Sequence, residues 1–296
     1  MKKDISLTGG TSITIYGEIS PEQIEKDLSS ILEELSARKI SDLITQEQKA
    51  IILETKTSAD DARIILEDYF GYKLTSENSS FEFTGSSLSE SFYAQLVLAI
   101  IVAFSFMGWV VFLIFGKNTK LKILVGFLVF IGALMSFFVL PPNVSIVFSL
   151  IVLIISLLIY FIHSIPSLAV IISAFADIIM TLAMVDILGM KMSSAGIVAF
   201  LMLIGYSVDT DILLTTRILK RSEGSLNRRM FGAFKTGITM TLTSFLAVFC
   251  ALLVVKSFSI TLTQIFTILS IGLIFDLLNT WITNASLLKW YVEKKK

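Results

Sequence analysis

The chain has 296 residues, of which 54% are hydrophobic and 16% charged, with a mean hydropathy of +0.81 and no formal net charge. Soluble globular chains average about 45–50% apolar and about 25% charged residues. This composition therefore excludes a disordered protein, a secreted disulfide scaffold and an ordinary soluble enzyme. One cysteine, Cys250, and one histidine, His163, exclude an internal disulfide, a cysteine metal cluster and a multi-histidine metal site. No metal or other cofactor is expected.

The zero net charge hides two unlike parts. Residues 1–90 hold 17 of the 24 acidic residues and 9 of the 24 basic ones, whereas residues 91–296 hold 7 acids and 15 bases. The first part reads as a small acidic α+β domain, the second as a transmembrane domain. In the first, Thr11–Tyr16 alternates and suits a strand. Ser20-Pro21-Glu22-Gln23 reads as a capped helix start, and Ile24, Leu28, Ile31 and Leu35 make one apolar helical stripe. Ile40–Thr45 and Lys49–Thr55 read as strands. Ser58 with Asp61 starts a second helix, with Ala62, Ile65, Leu66, Tyr69 and Phe70 facing inward and Gly71 at its end. Phe81–Thr84 supplies the last strand. The order βαββαβ is the ferredoxin-like plan. Gly9-Gly10 leads into strand-like sequence, so it is no phosphate loop.

Residues 91–296 contain seven apolar spans, at about 92–116, 121–140, 144–162, 166–188, 193–214, 236–255 and 258–288. The last is long enough to be tilted or to include an interfacial piece. Thirteen basic residues, in 117–122, in 217–235 and at 289–296, fall on one side if the spans alternate, against Lys191 and Lys256 on the other. The positive-inside rule then places the C-terminus in the cytoplasm and residues 1–90 outside. An exported N-terminal domain needs a way across the membrane. A transmembrane helix upstream of Met1 is the favoured expectation, export by the first span the alternative. Nothing suggests nucleic-acid binding: the basic residues sit where membrane topology requires them.

Ionisable residues inside spans mark function by default, because a charge at the bilayer centre costs at least about 2.5–3.5 kcal/mol. Asp177, mid-span, is the strongest candidate for ion coupling; the bland alternative is an acid fixed by Ser or Thr on a neighbouring helix. Asp209, Leu213 and Arg217 are spaced four apart, placing Asp209 and Arg217 on roughly one face. Arg217 is either a snorkelling anchor or functional. Asp211 joins this group, and Asp276 is a weaker polar candidate. No serine, cysteine or paired acid has a basic partner at catalytic spacing, so no enzyme is expected.

Gly205-Tyr206-Ser207-Val208-Asp209-Thr210-Asp211-Ile212-Leu213-Leu214-Thr215-Thr216-Arg217 closely resembles the signature of the SecF family of protein-export membrane subunits, in its archaeal wording. Pro166–Val170 with Ala174–Asp177, the tail Asp276–Trp281 with Asn284-Ala285, and Leu7–Thr11 resemble other family segments. The resemblance covers about 1–116 and 166–291. It implies a helical membrane bundle of the resistance-nodulation-division (RND) superfamily with a small extracytoplasmic domain. It also implies work with SecD beside a SecYEG-type channel, late in the export of a translocating polypeptide, using the proton-motive force at least in bacteria. It links Asp177 and Arg217 with ion passage. Residues 117–165 look like a two-helix insertion relative to the family plan, and its lack of internal charge argues against a place in an ion path. A small-molecule or lipid exporter of the same superfamily is the alternative, disfavoured by a single small external domain.

Overall fold

The structure, a computed structural model, describes all residues except 1–2, 43–44, 46, 222–223 and 296. It divides into two units. The first comprises Met1–Tyr93, Met190–Ala195 and Leu252–Gln264; the second comprises Ala94–Gly189, Gly196–Ala251 and Ile265–Lys296.

In the first unit a short helix α1 (Ile5–Thr8) precedes β1 (Gly10–Tyr16), α2 (Pro21–Leu28), β2 (Ser36–Ser41), β3 (Gln48–Thr55), α3 (Ala59–Phe70) and β4 (Ser79–Thr84). The strands lie in the order β2-β3-β1-β4, and every neighbouring pair is antiparallel. This is the ferredoxin-like βαββαβ arrangement. Ile13 sits opposite Leu53 on one side and Phe81 on the other. With Ile15 and Ile51 these side chains form the sheet's inner face, covered by Ile24 and Leu28 of α2 and by Ala62 and Leu66 of α3. Fully burying each Ile or Leu contributes about 1.5–3 kcal/mol, which holds the helices on that face.

Local chemistry explains the boundaries. Ser58 Oγ accepts the Asp61 amide at 3.3 Å and donates to the Asp61 carboxylate at 2.7 Å, so α3 starts with a reciprocal cap. Gly71 ends it in the left-handed region, at φ +71°. Gly10 is required for a different reason: at φ +151° a β-carbon there would stand 2.6 Å from the Thr55 carbonyl oxygen.

Three expectations are corrected. The apolar stripe expected to continue to Leu35 breaks, because α2 ends at Leu28, before Ser29-Ser30, residues that favour turns over helix interiors. Leu32 takes the core position instead, and Ile31 is exposed. Strand β2 covers Ser36–Ser41 and not Ile40–Thr45; residues 43 and 44 of that expected strand lie outside the described residues. Ser20 makes no side-chain cap, and Pro21 at the first helical position sets the start of α2.

The remaining parts of this unit come from distant sequence. Met192 O accepts the Asp4 amide at 2.9 Å, and Ser257 O accepts the Ser41 amide at 3.0 Å. The Gln264 side chain bonds both Ser193 and the Lys191 carbonyl.

The remaining helices are α4 (Ser86–Phe115), α5 (Thr119–Phe138), α6 (Pro142–His163), α7 (Ile165–Ile187), α8 (Ser194–Lys220), α9 (Leu226–Val255), α10 (Ile260–Asn279), a π-helical turn (Thr280–Asn284) and α11 (Ala285–Lys294). Among the described residues seven helices are long and apolar enough to cross a membrane, the last running through the π-helical turn from Ile260 to Lys294. The chain is a multi-pass membrane protein. Helices α8 and α9 run further than their apolar stretches, into the basic segment between them, because Arg and Lys are good helix formers.

The bundle core joins Phe112 of α4, Val129 of α5, Tyr160 of α6, Val170 of α7 and Val208 of α8. Helices α5 and α6 form a hairpin fastened by a buried bond of 2.7 Å between the Ser136 and Ser149 hydroxyls. Trp109 Nε1 donates to the Lys122 carbonyl at 3.0 Å and ties the hairpin to α4.

Candidate functional site

Three helices of the second unit each carry an acid with hydroxyl or amide residues one or two helical turns away. On α7 the series is Ser173, Asp177, Thr181; on α8 it is Ser207, Asp211, Thr215; on α10 and the π-helical turn it is Asp276, Thr280, Asn284. A four-residue step keeps side chains on one face of a helix. All nine residues are at most 1% exposed. Three polar ladders thus meet inside the bundle.

The acids are held by neutral donors. Asp177 accepts from the Ser207 hydroxyl through Oδ2 and from Asn279 Nδ2 through Oδ1, the latter at 2.7 Å. Asp211 Oδ1 accepts from Asn284 Nδ2 at 2.7 Å. Asp276 accepts from Thr280 Oγ1 at 3.3 Å and from Thr241 Oγ1 of α9 at 3.5 Å. Thr181 and Thr215 bond back to the Asp177 and Asp211 carbonyls at 2.6 and 2.8 Å, so their hydroxyls are spent on their own helices. Asp276 lies within electrostatic range of both other acids, and Asp211 within range of Asp177. Three buried oxygens of these ladders, Ser173 Oγ, Asp211 Oδ2 and Asn284 Oδ1, have no hydrogen-bond partner among the described residues.

Close helix approach makes the cluster possible. At Gly272 of α10 a β-carbon would fall 2.5 Å from the Leu203 methyl groups, so glycine lets α10 lie against α8 and brings Asp276 toward Asp211.

The structure sorts the sequence candidates. Asp177, Asp211 and Asp276 come together, and Asp276 is a full member of the cluster although its sequence context ranks it below the others. Asp209 does not join. It is two residues, about 200° of helical rotation, from Asp211, and it lies exposed with no hydrogen bond or ion pair among the described residues. Nor does it face Arg217: eight residues leave about 80° between them. Arg217 instead donates from Nη1 to the Gly232 carbonyl at 2.9 Å and from Nη2 to Thr236 Oγ1 at 3.0 Å, both on α9. Ser207, Thr241, Asn279, Thr280 and Asn284 escaped the sequence reading as site residues. The four-residue polar ladders were the available signal for Ser207, Thr280 and Asn284; for Thr241 and Asn279 the sequence offers none. Among the described residues no group of three or more His, Cys, Asp or Glu is arranged to hold a metal ion.

A cluster of acids bound by hydroxyls and amides, buried in a bundle of apolar helices and accompanied by a ferredoxin-like sheet domain, defines a polytopic membrane protein with a polar interior cluster. The profile of the family described as protein export membrane protein SecD/SecF, C-terminal, matches residues 142–294. That stretch begins within the segment that resembles an insertion and takes in α6. A protein-export membrane protein SecF of Methanocaldococcus jannaschii is 34% identical over a match spanning 99% of this chain and 88% of that protein. A SecF of Methanolacinia petrolearia is 52% identical over 131 residues, 44% of this chain and 46% of that one. Among solved structures, SecDF from Thermus thermophilus, a translocon-associated membrane protein, matches 99% of this chain with a TM-score of 0.60 at 16% identity. This chain spans about a third (34%) of that SecDF chain. The chain belongs to the SecD/SecF family of protein-export membrane proteins.

Proposed function

We propose that this chain is the SecF-type subunit of a Sec export machine. It works with SecD beside a SecYEG-type channel and promotes late steps in moving a polypeptide across the cell membrane, using the proton-motive force. Residues 1–90 form the extracytoplasmic domain, residues 91–296 the membrane domain, and the 217–235 segment and C-terminus are cytoplasmic. The observation that carries this reading is the meeting of Asp177, Asp211 and Asp276 without a basic partner among the described residues. Negative charges in a membrane interior repel and are poorly solvated. Taking up or releasing a positive charge there is therefore tied to how α7, α8 and α10 pack. Asp211 Oδ2 and Asn284 Oδ1, without a hydrogen-bond partner among the described residues, are acceptors that an arriving proton or cation would engage.

A partner face also supports it. Val198, Met202, Gly205, Tyr206 and Asp209 form an exposed stripe along α8. A carboxylate on the outside of a membrane helix calls for a protein neighbour and not lipid tails, which suits pairing with SecD. Copurification from native membranes in mild detergent tests this. SecD and channel subunits should accompany the chain, with SecD reduced by Asp209→Leu. An unpaired homotrimer would point to the exporter reading and overturn the proposal.

A further inference from the structure

A pocket of about 240 Å³ lies between the end of α8 and the start of α9, lined by Arg217, Arg221, Gly224, Arg228, Arg229 and Gly232. Among the described residues its wall carries four guanidinium groups and no acid. Among the described residues none of the four forms an ion pair. Like charges gathered in a concavity repel one another, yet two of them are pinned in place. Arg217 is held by Gly232 and Thr236 on α9. Arg229 Nη1 donates to the Ile218 carbonyl at 2.7 Å and also to the Arg221 carbonyl, at the end of α8. Each keeps a buried Nε–H with no acceptor. Arg221 and Arg228 are exposed and make no side-chain hydrogen bond among the described residues.

Membrane topology alone does not ask for this arrangement. The positive-inside rule needs basic residues in the loop, at no particular geometry. Here fixed guanidinium groups converge on one cavity, and the planar donor fork of arginine matches phosphate oxygens in pairs. The first turn of α9 beside the cavity carries no acidic residue, so its helix dipole adds to the positive potential. The pocket also lies where two membrane-spanning helices end, the level of lipid headgroups, where basic pockets take anionic lipids.

We propose that this pocket binds a phosphate-bearing anion, its position favouring a membrane lipid headgroup as the source over free phosphate. The test uses the full chain in detergent. Retained lipid is measured by native mass spectrometry with phosphatidylglycerol or phosphatidylcholine, and hydrogen exchange of the 217–232 segment is followed with and without inorganic phosphate. The charge of each basic residue near a membrane surface sets the expected effect: Arg221→Gln with Arg228→Gln should weaken phosphatidylglycerol retention about 30-fold. Lys117→Gln with Lys120→Gln, exposed basic residues outside this pocket, should leave it unchanged. Protection by inorganic phosphate, lost in the arginine pair and without preference between the lipids, assigns the site to a soluble phosphate compound. Equal retention of both lipids with no protection by phosphate overturns the proposal. So does an equal loss in the lysine pair, which would reduce the effect to general surface charge.

Discussion

Replacing Asp177 separates a structural carboxylate from a working one. The side chain receives two hydrogen bonds, from Ser207 and from Asn279, in a position with no solvent access. Asp177→Asn retains the shape. The amide oxygen still accepts from Asn279, and the amide nitrogen meets Ser207, whose hydroxyl rotates to accept. Stability should change by less than about 1 kcal/mol, but the position no longer carries a charge or takes up a proton. Asp177→Leu removes both bonds and strands two buried donors at about 1–3 kcal/mol each, so a loss of roughly 2–6 kcal/mol is expected. The two variants are compared at matched membrane levels by thermal unfolding in detergent and by export of a slow-folding secreted protein. Asp177→Asn should unfold like the parent and export poorly; Asp177→Leu should fail in both. Full export by a stable Asp177→Asn would refute the argument and return this aspartate to a packing role.

Other outcomes follow from the same geometry. Gly10→Ala should destabilise the sheet domain by about 1–3 kcal/mol, because it forces a β-carbon against the Thr55 carbonyl at a positive φ; faster hydrogen exchange in β1 and β3 would show it. Glu54 is held above its ordinary value of 4.5 by burial first and then by Asp4, with Arg38 opposing. A carboxyl raised in this way favours folding while protonated and loses that contribution as pH rises through the raised value. Glu54→Gln should therefore stabilise the domain at neutral pH and make no difference below its ordinary range, as read by hydrogen exchange at several pH values. Arg217→Lys should lose one of two bonds to α9, about 1 kcal/mol of thermal stability, and Arg217→Ala both. For sidedness, single cysteines at Ser80 and Ser225, with Cys250 replaced, should react with an impermeant thiol reagent at position 80 and not at 225 in intact cells; the reverse pattern would invert the orientation.

The fold is legible in the sequence where periodicity is strong. Seven apolar runs stand out by length alone, and the alternation of Ile13 and Ile15 with the spacing of Ala62 and Leu66 is enough to indicate the sheet and one of its helices. The misplacements have local causes. Ile31 and Leu35 keep helical spacing past Leu28, but Ser29-Ser30 breaks the helix and transfers the core position to Leu32. Asp177 and Asp211 are conspicuous as charges in apolar helices. Which of Asp209 and Asp211 faces inward depends on helical phase, and the inward one is the one flanked by Ser207 and Thr215. Asn279 has no such flanking pattern: it closes α10 just before the π-helical bend and reaches Asp177 on another helix.

That bend has a consequence for the kinds of change this helix tolerates. In the π-helical turn the Ala285 amide bonds the Thr280 carbonyl, five residues back. Residues five apart are thereby stacked one above the other. In a regular α-helix five residues advance about 500°, leaving about 140° between Asn279 and Asn284. The extra residue therefore acts as a phase corrector, bringing one amide to Asp177 and the next to Asp211. It also sets the rotation of everything after it, including Ala285 and Leu288, which pack with Ala169, Leu214 and Ile218. Substitutions at Trp281 or Ile282 alter a side chain and keep this phase. Deleting either residue leaves Asn279 and Asn284 four apart, about 40° from alignment in a regular α-helix, so the shortened helix keeps both amides in place, whereas an inserted residue turns Asn284 and Leu288 by about 100° together and would dismantle the site.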